Sequence, residues 1–312
     1  MQLSGLPLFE RLGDSQRILI AGAGGGFDVF AGLPLYFALK AAGREVFLAN
    51  LSFSDLRGAD ELVPGLYRVD ALSDGGSYFP EKYLSSWFDT RGETVPVYGF
   101  DKTGVVPYRA AYEHLVERLD LDALVLVDGG TDSLMRGDEA GLGTPVEDMA
   151  TVAATRGLEL PTKLLVCLGF GVDTFHGVCH AQFLEAVAAI GRAGGYLGAF
   201  SVLPEMPESA LYLEALEYVH RLMPQMSIVN SSVASAIEHE FGDHHRTERT
   251  RGSVLWINPL MALYFAFELG PVADRVLYLD QLMETQTMFE IAARIEAFRH
   301  TVEIKPREPI PV

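Results

Sequence analysis

Short apolar runs of strand length alternate with helical patterns along most of this chain, and that alternation constrains the fold more than any other feature. Runs at 17–21 (RILIA), 45–49 (EVFLA), 94–100 (TVPVYGF), 123–127 (ALVLV), 163–168 (KLLVCL), 195–200 (GYLGAF) and 253–257 (SVLWI) are apolar on both faces. Strands covered by helices on each side have this character. Helical patterns over 107–119, 178–193, 208–223 and 231–241 lie among them. The alternation predicts right-handed βαβ units in an α/β fold: a Rossmann-like, doubly wound, mostly parallel sheet with helices on both faces. With 312 residues, 49% of them hydrophobic, there is ample chain for a core. No internal repeat or long linker interrupts it, so the sequence reads as a single α/β domain over 1–312. Its proline-rich end, KPREPIPV at 305–312, is expected to run extended against a neighbouring surface.

The charge balance removes several partners. There are 24 Lys and Arg against 42 Asp and Glu, a net charge of −18. Binding to a nucleic-acid backbone or an anionic membrane surface needs clustered cations that this chain does not supply. The most apolar stretch, 257–272, is broken by Asn258, Pro259 and Glu268, short of the roughly 18 uninterrupted residues a spanning helix needs. The opening MQLSGLPLFERLGDS has neither the basic start nor the apolar run of a secretory signal. Cys167 and Cys179 are the two cysteines and form no disulfide framework. A soluble, reduced, cytoplasmic protein is expected. The segment 256–270 (WINPLMALYFAFELG) suits either a core helix or a subunit interface in a homo-oligomer.

In open parallel sheets, ligands gather beyond the carboxyl ends of the strands, and three strand-end loops here are rich in glycine, acid or histidine. The first, AGAGGGFDVFAG, places Gly22, Gly24, Gly25 and Gly26 before Asp28. Its amides can hold a phosphate or other cofactor group, or the glycines can simply pack a strand against a helix. It departs from the dinucleotide fingerprint, because Phe27 stands where the third glycine belongs and Asn50, not an acid, follows the next strand.

The second loop, VDGGTDSLMRGDEAGLGTPVEDM, brings Asp128, Asp132, Asp138 and Glu139 close in sequence, with Gly129 and Gly130 beside Asp128. Carboxylates in a glycine-rich loop suit a hard divalent metal or sugar hydroxyls, and one of them can act on a water. Thr144, Pro145 and Glu147 read as a capping box, which makes Glu147 and Asp148 first-turn acids serving a helix. The third loop, LGFGVDTFHGVCH, carries Asp173, His176 and His180. The two histidines share a helical face if a helix begins near Thr174, where they can ligate a metal or transfer protons. A fourth segment offers His244, His245, Arg246, Arg249 and Arg251, either as an anion site or as a solvated loop.

These segments together resemble the DUF1152 family of bacterial and archaeal proteins. The resemblance runs through RILIAGAGGGFDVFAGLPL, VDGGTDSLMRGDEAGLGTP, GFGVDTFHGVCH, IVNSSVASAIEHEFGDHH and WINPLMALYFAF. It implies a compact α/β protein and brings no activity or cofactor with it.

The residues themselves point to an enzyme, a hydrolase or transferase, acting on a small phosphorylated or nucleotide- or sugar-like molecule. Gly22, Gly24, Gly25, Gly26, Asp28, Gly129 and Gly130 are the candidate binding residues. Asp128, Asp132, His176 and His180 are the candidate catalytic groups, and Asp128, Asp132, Asp138, Glu139 and Asp173 the candidate ligands of a divalent metal. Two alternatives remain: an NAD(P)-dependent oxidoreductase and a non-catalytic nucleotide-binding sensor or assembly subunit. All the strand-end acids are expected to converge on one crevice.

Overall fold

In the computed structural model, which describes residues 5–310, nine strands form one sheet. They are β1 (Arg17–Gly22), β2 (Glu45–Leu51), β3 (Asp60–Val63), β4 (Leu66–Val69), β5 (Val97–Phe100), β6 (Ala123–Gly129), β7 (Thr162–Leu168), β8 (Tyr196–Ser201) and β9 (Leu263–Glu268). Their order is β3-β4-β5-β2-β1-β6-β7-β9-β8. The central strands β5, β2, β1, β6 and β7 pair in parallel. Both edges are antiparallel, so the α/β fold and parallel centre are as expected while the sheet as a whole is mixed.

The apolar-on-both-faces pattern is realised strand by strand. Leu124 and Leu126 of β6 join one core cluster, with Leu19, Leu165 and Cys167. Ala123, Val125 and Val127 join the cluster on the opposite face, with Ile18, Ile20 and Val166. Helices Val105–Arg118, Pro145–Arg156 and His180–Arg192 cover the first face; Leu33–Ala41, Pro80–Thr90 and Pro207–Leu222 cover the second.

Two strand expectations change. The segment 253–257 is not a strand; only Ile257 makes an isolated bridge, to Gly242. The apolar segment after it is not a core helix either, because Leu263–Glu268 enters the sheet as β9 between β7 and β8. Its aromatic content favours a strand once it is covered on both faces. The β3–β4 hairpin, unforeseen, turns at Pro64-Gly65, where Gly65 has φ of 79°; proline followed by a left-handed glycine suits a tight turn.

No helix among the described residues is long and apolar enough to cross a membrane. The tail over 305–310 lies against the protein. Lys305 donates its amide to the Asp138 carbonyl (2.7 Å), and Cys179 Sγ donates to the Glu308 carbonyl (3.1 Å). Residues 311 and 312 of the tail, and the first four residues of the N-terminal stretch, lie outside the described residues.

Candidate functional site

β1 and β6 are neighbours, and the chain leaves their carboxyl ends through the first two glycine-rich loops. Asp128 continues the side-chain alternation of Leu124 and Leu126 at the end of β6, in register with Cys167 of β7. Beyond it, Asp132 lies in a short 3-10 turn, Asp132–Leu134, and Asp173 in another, Val172–His176, after β7. Asp28 opens the short helix that follows the first glycine loop.

Asp28, Asp128, Asp132 and Asp173 meet, and Asp148 joins them. Asp128, Asp132, Asp148 and Asp173 are each at most 5% exposed; Asp28 is partly open to solvent. The glycines make this packing possible. A β-carbon on Gly24 would strike Asp148 Oδ1 and Asp28 Oδ2, and one on Gly130 would lie 2.7 Å from Asp173 Oδ2 and 3.1 Å from Asp128 Oδ1.

Four of the five carboxylates are held by nearby donors. The Ser133 amide and hydroxyl donate to Asp128 Oδ2 (3.0 and 2.5 Å). The Thr131 amide and hydroxyl donate to Asp173 Oδ2 (2.5 and 3.0 Å). Thr144 serves Asp132 Oδ2 in the same way (2.7 and 2.9 Å), and the Gly24 amide donates to Asp28 Oδ2 (2.7 Å). Asp148 has no hydrogen-bond partner on either oxygen.

Burial is the main force that pushes Asp28, Asp128, Asp132 and Asp148 above the usual carboxylate range, and mutual repulsion adds to it. Asp28, Asp128 and Asp148 are raised well above the carboxylate range by burial, each with a further push from Asp132. Asp132 is pushed up to about 7 by burial and by Asp173. At the edge of the group, His176 is exposed, its Nδ1 3.9 Å from Asp173 Oδ1, and that carboxylate raises it above the usual imidazole range.

Two exposed cations lie near the residues that border the acids. Exposed Arg249 acts on both His176 and Tyr78, opposing their upward shifts. Lys102 Nζ stands 5.1 Å over the Phe53 ring and eases the upward shift of Glu147. The Phe53 ring, 41% exposed, closes over Gly25 and Gly26.

Several sequence expectations are redirected. The amides of Gly24, Gly26 and Gly130 already donate within the protein, to Asp28, Leu51 and Leu168, so the first loop cradles the chain's own carboxylate. Asp138 and Glu139 do not join the other acids. Asp138 pairs with Arg136 (2.9 and 2.5 Å), and Glu139 accepts from the Arg136 and Gly137 amides and faces Arg275 at 3.5 Å.

His176 and His180 do not share a helix: Gly177 interrupts at φ of 96°, and the next helix begins at His180. His180 packs on Phe170, 5.1 Å between ring centroids, and burial alone lowers its pKa. The Thr144 hydroxyl serves Asp132 rather than a capping box, which corrects the bland reading of Asp148. A usable signal for Asp148 was present. Asp148, Thr151, Val152 and Thr155 recur at helical spacing and are all buried, so the acid lies on the inward face.

A family model described as a protein of unknown function, DUF1152, matches residues 52–308. The chain belongs to the DUF1152 family. The match covers β6, β7 and their acidic loops in this DUF1152 protein, while the first glycine loop precedes it. No curated protein and no solved structure matches the chain.

Proposed function

We propose that this DUF1152 protein is a hydrolase or group transferase acting on a small phosphorylated, nucleotide- or sugar-like molecule at the carboxyl ends of β1, β6 and β7. One observation carries the proposal: buried carboxylates gather at these strand ends, and two exposed cations border the region, Lys102 over the Phe53 ring that covers Gly25 and Gly26, and Arg249 acting on His176. An anionic group can be held by these cations while the reacting bond faces the acids. The central order β5-β2-β1-β6-β7 supports a Rossmann-like reading, with the switch in strand order between β1 and β6.

In this scheme Asp132, titrating near neutrality, takes a proton from the attacking water or acceptor hydroxyl. Asp128, fixed by Ser133, orients the same nucleophile. His176, charged beside Asp173 and open to solvent, gives a proton to the leaving group. Arg249 and Lys102 hold the anionic portion, and Phe53 offers an aromatic face to a ring. A nicotinamide dinucleotide is less suited. Asn50, where a ribose-binding acid would stand, is bonded to buried Glu81 at 2.8 Å.

The test is a thermal-shift panel of ATP, ADP, NADP⁺, ribose 5-phosphate and glucose 6-phosphate, followed by phosphate-release assays on any hit. A hit that Arg249→Ala weakens, and whose turnover Asp132→Asn abolishes, supports the proposal. A panel with no response in the wild type, or a hit indifferent to both variants, overturns it.

A further inference from the structure

We propose that the acid group binds a hard divalent cation (Mg²⁺, Mn²⁺ or Ca²⁺), with Asp148 as the deciding ligand and Asp28 and Asp132 completing the protein's share. Such a cation would deepen the function proposed above; its role rests on that function, but its binding does not.

Asp148 is 1% exposed, and neither of its oxygens has a hydrogen-bond partner. Buried polar groups in folded proteins are almost always satisfied, so an orphaned carboxylate marks a missing partner. Its Oδ1 and Asp28 Oδ2 both lie against Gly24, where a β-carbon on that glycine would strike them. Asp132 is the neighbouring charge that weighs most on both Asp28 and Asp148, so it lies close to each of them. Asp128 and Asp173 pack together beside Gly130, tied to Ser133 and Thr131.

Among the described residues no lysine or arginine pairs with these acids, and His176 reaches the group only at its edge, 3.9 Å from Asp173. Lys102 and Arg249 are exposed, and Arg275 faces Glu139 elsewhere. The donors are all carboxylate oxygens, the set that hard cations prefer over zinc or copper. As the side chains stand, no three His, Cys, Asp or Glu groups among the described residues form a ready ligand set. Binding therefore requires carboxylates to turn toward a common point. Asp148 can do so without breaking a hydrogen bond, so the site closes on its ion instead of waiting as a rigid cage.

Mn²⁺ alone is the probe, titrated into full-length protein stripped of metal with EDTA. Binding is read by calorimetry and by loss of the free-ion electron paramagnetic resonance signal; stability is read as Tm. The wild type should bind Mn²⁺ saturably and melt higher with it. Asp148→Asn should bind at least about tenfold more weakly, yet in metal-free buffer melt at or above the wild-type Tm, because an orphaned acid crowded by other carboxyls is gone. Asp132→Asn, a second variant, should also weaken binding, whereas Asp274→Asn on the exposed surface should not.

A merely structural acid would not produce opposite effects from one substitution. Absence of saturable Mn²⁺ binding up to about 1 mM, or wild-type affinity in Asp148→Asn, overturns the proposal. If phosphorylated ligands shift Tm but Mn²⁺ does not bind, the cation fails while the function stands. Mn²⁺ binding with no response to any phosphorylated ligand gives the converse.

Discussion

Thr144 donates both its amide and its hydroxyl to a single oxygen of Asp132, at 2.7 and 2.9 Å. Even so, burial and Asp173 push Asp132 up to about 7. Two good donors lower a carboxylate's pKa, so burial, with the charge of Asp173 added, outweighs them. That imbalance has a measurable sign. A carboxyl whose folded pKa lies above its unfolded value binds more protons when folded, so stability falls as pH rises between the two values. Metal-free protein should therefore lose stability from about pH 4 to about pH 7 through this group. Asp132→Asn should flatten that slope when urea unfolding is followed across the window. A slope identical to wild type would show that Asp132 is not the group responsible.

Gly24 is the point against which two of the acids pack. Alanine there would drive its methyl into Asp148 Oδ1 and Asp28 Oδ2. Overpacking of this kind costs about 1–3 kcal/mol, and urea denaturation should show the loss. In an Asp148→Ala background the same change should cost less, because one of the struck atoms is gone. Equal costs in the two backgrounds would mean that the two side chains do not meet.

Two arginines should separate binding from folding. Arg275 is 10% exposed, donates to the Leu134 carbonyl at 2.6 Å and faces Glu139 at 3.5 Å. Arg275→Ala leaves Glu139 buried without its cation, a change that typically costs about 3–5 kcal/mol. Arg249 is exposed and donates to the Met226 carbonyl at 3.1 Å. Its replacement by alanine should change stability by no more than about 0.5 kcal/mol, while raising KM for a phosphorylated substrate. Chemical denaturation and steady-state kinetics on the two variants would reveal any exchange of these roles.

What the sequence disclosed depended on how local each signal was. Asp128 was legible because an apolar strand ends at it and glycines follow, all within a few residues. Asp148 was hidden because Thr144, Pro145 and Glu147 spell a helix start, and that local pattern competes with the inward period through Thr151, Val152 and Thr155. Asp138 and Glu139 were misplaced because Arg136, Lys305 and Arg275 draw them away; two of those partners are more than a hundred residues distant. The histidine pair failed at Gly177, whose left-handed backbone breaks the helix that would have aligned them. The parallel centre of the sheet could be read from strands apolar on both faces. Its antiparallel edges could not, since β9 reaches β7 from far along the chain.

The tail offers a separate prediction through the two thiols. Cys167 is fully buried beside Ser133 and Asp128, and burial raises its pKa well above the thiol range. Cys179 is 7% exposed, and its Sγ donates to the Glu308 carbonyl in the tail. Gln182 also donates to the Pro306 carbonyl (3.1 Å), and Arg307 to that of Gly177 (2.6 Å), so the tail covers the start of helix His180–Arg192. Deleting residues 305–312 should uncover Cys179 and leave Cys167 protected. With a thiol-reactive chromophore under native conditions, the intact chain should react slowly at both cysteines. The shortened chain should show a fast phase at one cysteine, and Cys179→Ser should abolish it. Fast reaction at both cysteines would instead mean that the deletion opens the core, and no change in rate would mean that the tail does not shield the thiol.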